Sequence, residues 1–123
     1  MRPDVNKLRD LAREEIEQIL IELPSPLAVR ARRLPVTLEE RPNSGLQADG
    51  IHEDTLGLFA GAEMAEEGHV VLPQHIILFL GNLWEYSERD VGTFLGEVRT
   101  TYLHELGHFF GLDEDDLCDR GLE

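Results

Sequence analysis

The first quarter of the chain carries apolar residues at helical spacing, with charged residues between them. Residues three and four positions apart lie on one face of an α-helix, so this pattern predicts an amphipathic helix from Asp4 to Leu23. Its apolar stripe consists of Val5, Leu8, Leu11, Ala12, Ile16, Ile19, Leu20 and Leu23. The helix should end at Pro24-Ser25-Pro26, because proline lacks a backbone donor and restricts the residue before it.

The middle of the chain loses this period and holds short apolar runs separated by glycine, proline and asparagine. Such runs predict β-strands. The predicted strands are Leu34 to Glu39, Thr55 to Ala60, His69 to Leu72 and His75 to Leu80, of which the last is the most apolar. Between the first two, the segment from Arg41 to Asp54 is predicted to be a loop because it is rich in turn-forming residues.

A second helical pattern predicts a helix from about Ser87 to Phe110. Ser87 offers an N-cap with an acid, Asp90, three residues later, and Gly111 can take the left-handed conformation that closes a helix. The apolar stripe of this helix is Val91, Phe94, Leu95, Val98, Tyr102, Leu106 and Phe109. The complete pattern predicts an α+β fold in which two helices and a small sheet form two layers.

The length of 123 residues and the 41% apolar share predict a single domain, residues 1–123, with one hydrophobic core. No stretch approaches the roughly 20 apolar residues that span a membrane, and the N-terminus does not resemble a secretory segment. The single cysteine, Cys118, cannot form an internal disulfide, which is typical of a reducing compartment. We therefore expect a soluble, cytoplasmic protein with no membrane contact.

Acidic residues outnumber basic ones by 25 to 11, which gives a formal net charge of −14. Such a chain repels a phosphate backbone, so no nucleic acid partner is expected. The acids cluster at residues 14–17 and 113–116. We interpret the first cluster as solvated surface, whereas the second follows the candidate site described next.

The C-terminal helix pattern carries the motif His104-Glu105-Leu106-Gly107-His108. Histidines at i and i+4 project from one helical face, so both rings can bind one zinc ion at about 2.0–2.1 Å. Glu105 lies at the edge of that face, where it can reach an attacking water without being a ligand. The spacing therefore predicts a metal pair with an adjacent general base.

Helical phase separates the two histidines from the apolar stripe. At 100° per residue, His104 and His108 share a face with Thr93, Glu97 and Thr100. The histidines are therefore not core residues, and two interpretations stay open at this point: a metal pair facing a cleft, or an ordinary solvated face.

The residues after the motif suggest a third ligand. Gly111 lets the chain leave the helix, and Glu114 follows at a spacing that could complete a three-ligand site. Only residues 109–123 follow His108, so we expect this ligand to be local rather than to come from a later helix. Glu114 is the predicted ligand, and the alternatives are Asp113, Asp115 and Asp116.

From about Leu34 to Gly121 the chain resembles a small bacterial zincin-like family, long catalogued as a domain of unknown function and described as candidate zinc metallopeptidases. Its members end in a helix that carries His-Glu-x-x-His-x-x-Gly-x-x-Asp. The matching segments here are residues 34–42, 55–59, 76–79 and 97–112.

The resemblance implies a minimal zincin-like domain: an N-terminal helix, a small mixed sheet of three to four strands and a C-terminal active-site helix. It implies one zinc ion held by His104 and His108, with Glu105 as the base and Glu114 in the place of the family's aspartate. Glutamate is one methylene longer, so Asp113 or Asp115 could substitute. No methionine follows Met64, so a Met-turn beneath the site is not expected.

The leading hypothesis is a zinc metallopeptidase that cleaves a peptide or protein substrate. The peptide would add as a strand to an exposed sheet edge, for which the strand from Ile76 to Leu80 is the candidate. A catalytically weak or inactive zincin-like module that binds a protein partner is the main alternative. A metallohydrolase of a non-peptide amide or ester is the second. The oligomeric state is left open, and no nucleotide loop is present.

Overall fold

The computed structural model describes residues 4–60 and 74–111 of the chain. In these residues it contains five helices and a sheet of three strands. The elements are α1 (Val5–Glu22), α2 (Ser25–Arg32), β1 (Val36–Glu39), α3 (Ser44–Ala48), β2 (Gly57–Ala60), β3 (His75–Phe79), α4 (Leu80–Tyr86) and α5 (Val91–Phe109). The α+β class with a small mixed sheet agrees with the prediction. The predicted strand from His69 to Leu72 lies outside the described residues.

Helix α1 forms where the apolar period predicted it. The Asp4 side chain accepts a hydrogen bond from the Asn6 backbone N–H at 2.9 Å and caps the first turn. Five residues of the predicted stripe are buried: Leu8, Ala12, Ile16, Ile19 and Leu20. Val5 is 40% exposed, because it stands in the first turn at the end of the core.

The sheet has the order β1-β3-β2, with β1 parallel and β2 antiparallel to β3. Leu78 of β3 lies opposite Leu38 of β1 and Gly57 of β2. Because β3 has a neighbour on each side, the hypothesis that Ile76 to Leu80 forms the exposed edge is wrong. Its continuous apolar run reflects burial on both faces, and Leu80 already begins α4.

Three short helices, α2, α3 and α4, lie where none was predicted. Helix α2 begins directly after Pro24, and Pro26 lies in its first turn, where a missing N–H is tolerated. Helix α3 interrupts the predicted loop from Arg41 to Asp54, and the Asn43 side chain caps it by accepting from the Leu46 N–H at 2.9 Å. The proline cluster thus ends one helix and starts the next.

The predicted start of the last helix at Ser87 is wrong. Ser87 is the C-cap of α4, and its hydroxyl donates to the Leu83 carbonyl at 2.7 Å. The two residues that follow it, Glu88 and Arg89, have φ angles of 55° and 62°, so they separate two helices. Asp90 is the N-cap of α5 and accepts from the backbone N–H and the hydroxyl of Thr93, both at 2.9 Å.

Helix α5 is placed by contacts on several sides. It packs over β2 and β3, along α1 and against α4. Its buried residues are Phe94, Val98, Thr101, Tyr102, Leu106 and Gly107. Phe94 meets Trp84 of α4 edge-to-face, with ring centroids 5.8 Å apart. Val91, which was predicted in the apolar stripe, is 44% exposed because it precedes the first residue that reaches the core.

None of the helices in residues 4–60 and 74–111 combines the length and the apolar character needed to cross a bilayer. The cytoplasmic location stays a prediction.

Candidate metal centre

The two histidines of the motif converge on one side of α5. The Nε2 atoms of His104 and His108 are 3.2 Å apart, and the ring centroids are 4.8 Å apart. His104 is half-buried and His108 is exposed. The predicted pair is therefore brought together on adjacent turns of the helix, with both donor atoms on the same side.

This separation fits a shared metal ion. Two imidazole nitrogens at about 2.0–2.1 Å from a tetrahedral zinc ion would lie roughly 3.3–3.4 Å apart. The observed 3.2 Å differs from that value by a small adjustment of either ring. The pair also lies in the last turns of α5, where the helix dipole favours positive charge. The two nitrogen donors thus suit zinc.

An open cleft lies beside His104. Its volume is about 330 Å³, and it extends between α5, the end of α4 and the start of β2. The lining residues are Leu56, Gly57, Tyr86, Glu97, Thr100, Thr101, His104 and Glu105. His104 lines this cleft, whereas His108 is exposed and does not line it. The metal pair therefore stays a prediction.

The predicted base also borders this cleft. Glu105 is half-buried and lines the same wall as His104. Its neighbours Leu106 and Gly107 are buried, which fixes the turn of helix from which its side chain projects. A carboxylate in this position can exchange a proton with a molecule in the cleft.

Aromatic contacts hold the C-terminal end of α5. Phe109 packs edge-to-face on Phe59 of β2, with centroids 6.0 Å apart. The Arg30 guanidinium of α2 lies 5.5 Å from the Phe109 ring centroid and 4.9 Å from that of Phe110. Cation–π contacts at these distances are attractive. The end of the helix that carries His108 is thus tied to both β2 and α2.

The chain leaves α5 as the sequence predicted. The Phe110 N–H donates to the Leu106 carbonyl and the Gly111 N–H to the His108 carbonyl, both at 3.0 Å. Gly111 has a φ angle of +79°, in the left-handed region where a side chain is disfavoured.

The predicted third ligand, Glu114, lies outside the described residues, as do Asp113, Asp115 and Asp116. Within residues 4–60 and 74–111, no group of three or more histidine, cysteine, aspartate or glutamate side chains is placed to hold a metal. The third ligand therefore stays a prediction.

An ion-pair cluster joins the middle of α5 to α1. The Arg99 Nε donates to Glu15 at 2.7 Å, and its two terminal nitrogens donate to Glu22 at 3.1 Å. The hydrogen bonds with Arg99 lower the pKa of the Glu22 carboxyl, and those with Glu22 are the main cause of the raised pKa of Arg99. Both groups therefore stay charged at neutral pH. Because Arg99 contacts α1, it is directed away from the cleft.

Burial raises the pKa of Tyr102 to about 12. This phenol is neutral across the physiological range, and it lies in the core rather than among the residues that line the cleft. We assign it a packing role.

Tyr86 and Glu97 are among the cleft residues that were not recognised as site residues from the sequence. Tyr86 belongs to α4, a helix that was not predicted. Glu97 was placed on the histidine face by helical phase, but only the position of β2 and α4 shows that this part of the face borders a cleft. Of the remaining histidines, His52 and His75 do not line the cleft, and His69 lies outside the described residues.

Comparison with known proteins adds one match. The sequence model of the zincin-like metallopeptidases matches residues 31–122, a span that contains the sheet, α4, α5 and the whole His104 to Glu114 region. This agrees with the resemblance found between Leu34 and Gly121. A search of the curated proteins finds no match.

Proposed function

The chain belongs to the family of zincin-like metallopeptidases, and from this premise we propose that it is a zinc-dependent peptidase with Glu105 as its general base. The observation that carries the proposal is the 3.2 Å separation of the His104 and His108 Nε2 atoms beside a cleft that Glu105 also lines.

Zinc would be held by His104, His108 and a carboxylate beyond Gly111, for which Glu114 is proposed. In such a site zinc acts as a Lewis acid that polarises a carbonyl and acidifies water. The protein residues hold the metal and move the proton. The two imidazoles supply nitrogen donors, and Gly111 ends the helix in the left-handed conformation.

Glu105 is proposed to handle the proton in both halves of the reaction. Its carboxylate takes a proton from the attacking water and then gives it to the nitrogen of the departing amine. A carboxylate suits both steps because it can accept a proton in the first and release it in the second. A purely structural zinc site would not need this residue.

The substrate is proposed to bind along β2. In the described sheet β2 is an edge strand, and Leu56 and Gly57 line the cleft together with His104. An extended peptide that adds to this edge by backbone hydrogen bonds would pass in front of His104 and Glu105. The edge strand proposed to bind the peptide is thus β2 rather than β3.

Zinc content and peptide hydrolysis of the parent and of Glu105→Ala test the proposal. The parent should bind about one zinc ion per chain and cleave peptides, whereas Glu105→Ala should keep its zinc and lose turnover by roughly a hundredfold or more. Hydrolysis at the parental rate by Glu105→Ala would show that Glu105 is not the base.

A protein-binding module is the second candidate function. It is favoured by the openness of the cleft and by the net charge of −14, which suits a basic partner surface. Turnover by the parent and by Glu105→Ala separates the candidates, because a binding module hydrolyses nothing with or without Glu105.

A further inference from the structure

The cleft continues from His104 towards the N-terminal part of α5. Glu97 and His104 both line it and lie about two helical turns, or roughly 10 Å, apart along the helix axis. Tyr86, at the end of α4, borders the same stretch of wall. A substrate bound at His104 would therefore extend past these two side chains.

Glu97 is a half-buried carboxylate that forms no ion pair with the described residues. The ion pairs formed by the described residues engage the nearby arginines elsewhere: Arg99 with Glu15 and Glu22, and Arg89 with Glu85. Within residues 4–60 and 74–111, no lysine or arginine forms an ion pair with Glu97. A partly desolvated carboxylate of this kind favours a cation supplied by the ligand.

Tyr86 adds an aromatic surface to the same place. Tyr86 is 63% exposed, so its ring is accessible to a ligand. Aromatic faces attract ammonium and guanidinium groups, and they cover the methylene groups of lysine and arginine. A carboxylate and an exposed ring on one wall are complementary to a long basic side chain.

The charges around the cleft also favour a basic ligand. Among the described residues that line it, the charged groups besides His104 are the carboxylates of Glu97 and Glu105, with no lysine or arginine. A neighbouring cavity of about 560 Å³ shares Leu56 and Tyr86 and contains Arg41. The Arg41 guanidinium there donates to the buried Asn82 amide, which in turn donates to the Glu53 and Thr55 carbonyls. Arg41 is thus anchored to the protein in the adjoining cavity rather than directed at Glu97.

We propose that Glu97 and Tyr86 form a subsite for a basic side chain, so that the protein selects peptides with lysine or arginine within about three residues of the cleaved bond. An extended chain advances about 3.4 Å per residue, so three residues span the distance from His104 to Glu97. This subsite rests on the proposed function only for its position relative to the cleaved bond.

Binding of a capped decapeptide library to the immobilised, zinc-loaded Glu105→Gln variant tests the subsite without requiring turnover. One position of each peptide holds lysine, arginine, norleucine or glutamate, and the bound peptides are identified by mass spectrometry. Norleucine keeps the aliphatic stem of lysine without its charge. Glu105→Gln/Glu97→Gln is the test variant, and Glu105→Gln/Glu14→Gln, which removes a charge from the exposed side of α1, is the matched control.

Peptides with lysine or arginine at one position should be enriched about three- to tenfold over peptides with norleucine at that position. The preference should disappear with Glu97→Gln, fall with Glu105→Gln/Tyr86→Leu and persist with Glu14→Gln. No enrichment of basic peptides, or equal enrichment with Glu97→Gln, would overturn the subsite. If the preference depends on Glu97 but the parent cleaves none of the selected peptides, the subsite stands and the peptidase assignment fails.

Discussion

Gly57 of β2 lies against Thr101 of α5 so closely that a Cβ atom on residue 57 would be 2.5 Å from the Thr101 Cγ2 atom. The same Cβ would lie 3.3 Å from Leu78 of the central strand. Glycine at this position therefore sets the distance between the edge strand and the helix that carries His104 and Glu105.

Substitution of Gly57 by alanine is expected to push α5 away from β2. Overpacking of this kind costs about 1–3 kcal/mol, which urea unfolding measures. Gly96→Ala is the matched control, because a Cβ there meets nothing within 4 Å and alanine favours a helix. Gly57→Ala should unfold at a lower urea concentration than the parent, and Gly96→Ala at the same or a higher one. Equal midpoints for Gly57→Ala and the parent would contradict the close contact.

Removal of either motif histidine is expected to abolish tight zinc binding. His104→Ala and His108→Ala each leave one nitrogen of a pair whose 3.2 Å spacing suits a shared ion. Zinc titration followed by metal analysis should show about one zinc ion in the parent and far less than half occupancy in each variant. His52→Ala removes an exposed histidine away from the cleft and should keep full occupancy. Unchanged zinc content in both motif variants would rule out this metal centre.

Removal of the proposed third ligand should weaken zinc binding without unfolding the protein. Glu114→Ala is expected to lower zinc occupancy under conditions where the parent is saturated, because a three-ligand site then has only two protein donors. Asp113→Ala, Asp115→Ala and Asp116→Ala are the comparisons. If Glu114→Ala keeps the parental zinc content and one aspartate variant loses it, that aspartate is the ligand.

The N-cap of α5 makes the stability of the protein depend on pH in the acid range. Hydrogen bonds from the backbone N–H and the hydroxyl of Thr93 lower the pKa of Asp90 below its ordinary value of 3.8. A lowered folded-state pKa contributes stability that is fully present above the unfolded value and is lost as the pH falls through the folded one.

Asp90→Asn should therefore change unfolding by urea little at pH 7, since asparagine also caps helices. It should flatten the loss of stability of the parent as the pH falls below about 4. Asp10→Asn, on the exposed side of α1, removes the same charge elsewhere and serves as the control. A parental pH profile for Asp90→Asn would show that the cap carboxylate does not contribute.

Long periodic segments were the parts of the fold that the sequence predicted well. Eight apolar residues fixed α1 to within one residue at each end, and Gly111 marked the end of α5. The seven residues of α4 were missed because they continue the apolar run of β3, and a run this short has no distinct period. Ser87 and Asp90 both suit an N-cap, and only the left-handed pair between them shows which residue performs that role.

The candidate site was likewise predicted only in part. The spacing of His104, Glu105 and His108 is local to one helix, so the sequence could predict that they share a face. The cleft depends on β2 and on Tyr86, which are far apart in sequence and meet only through the sheet order. That order also decides which strand is an edge, and the apolar content of β3 suggested the wrong one.

The attachment of Arg30 to Phe109 and Phe110, together with the Arg99 cluster on α1, has a consequence for attempts to trim this protein. The family match begins at residue 31, whereas Arg30, Glu15 and Glu22, which contact the end and the middle of the histidine-bearing helix, lie before it. A shortened chain that starts at the family boundary would lack α1, which packs along α5. Helix α1 and Arg30 thus support the histidine-bearing helix from outside the family match.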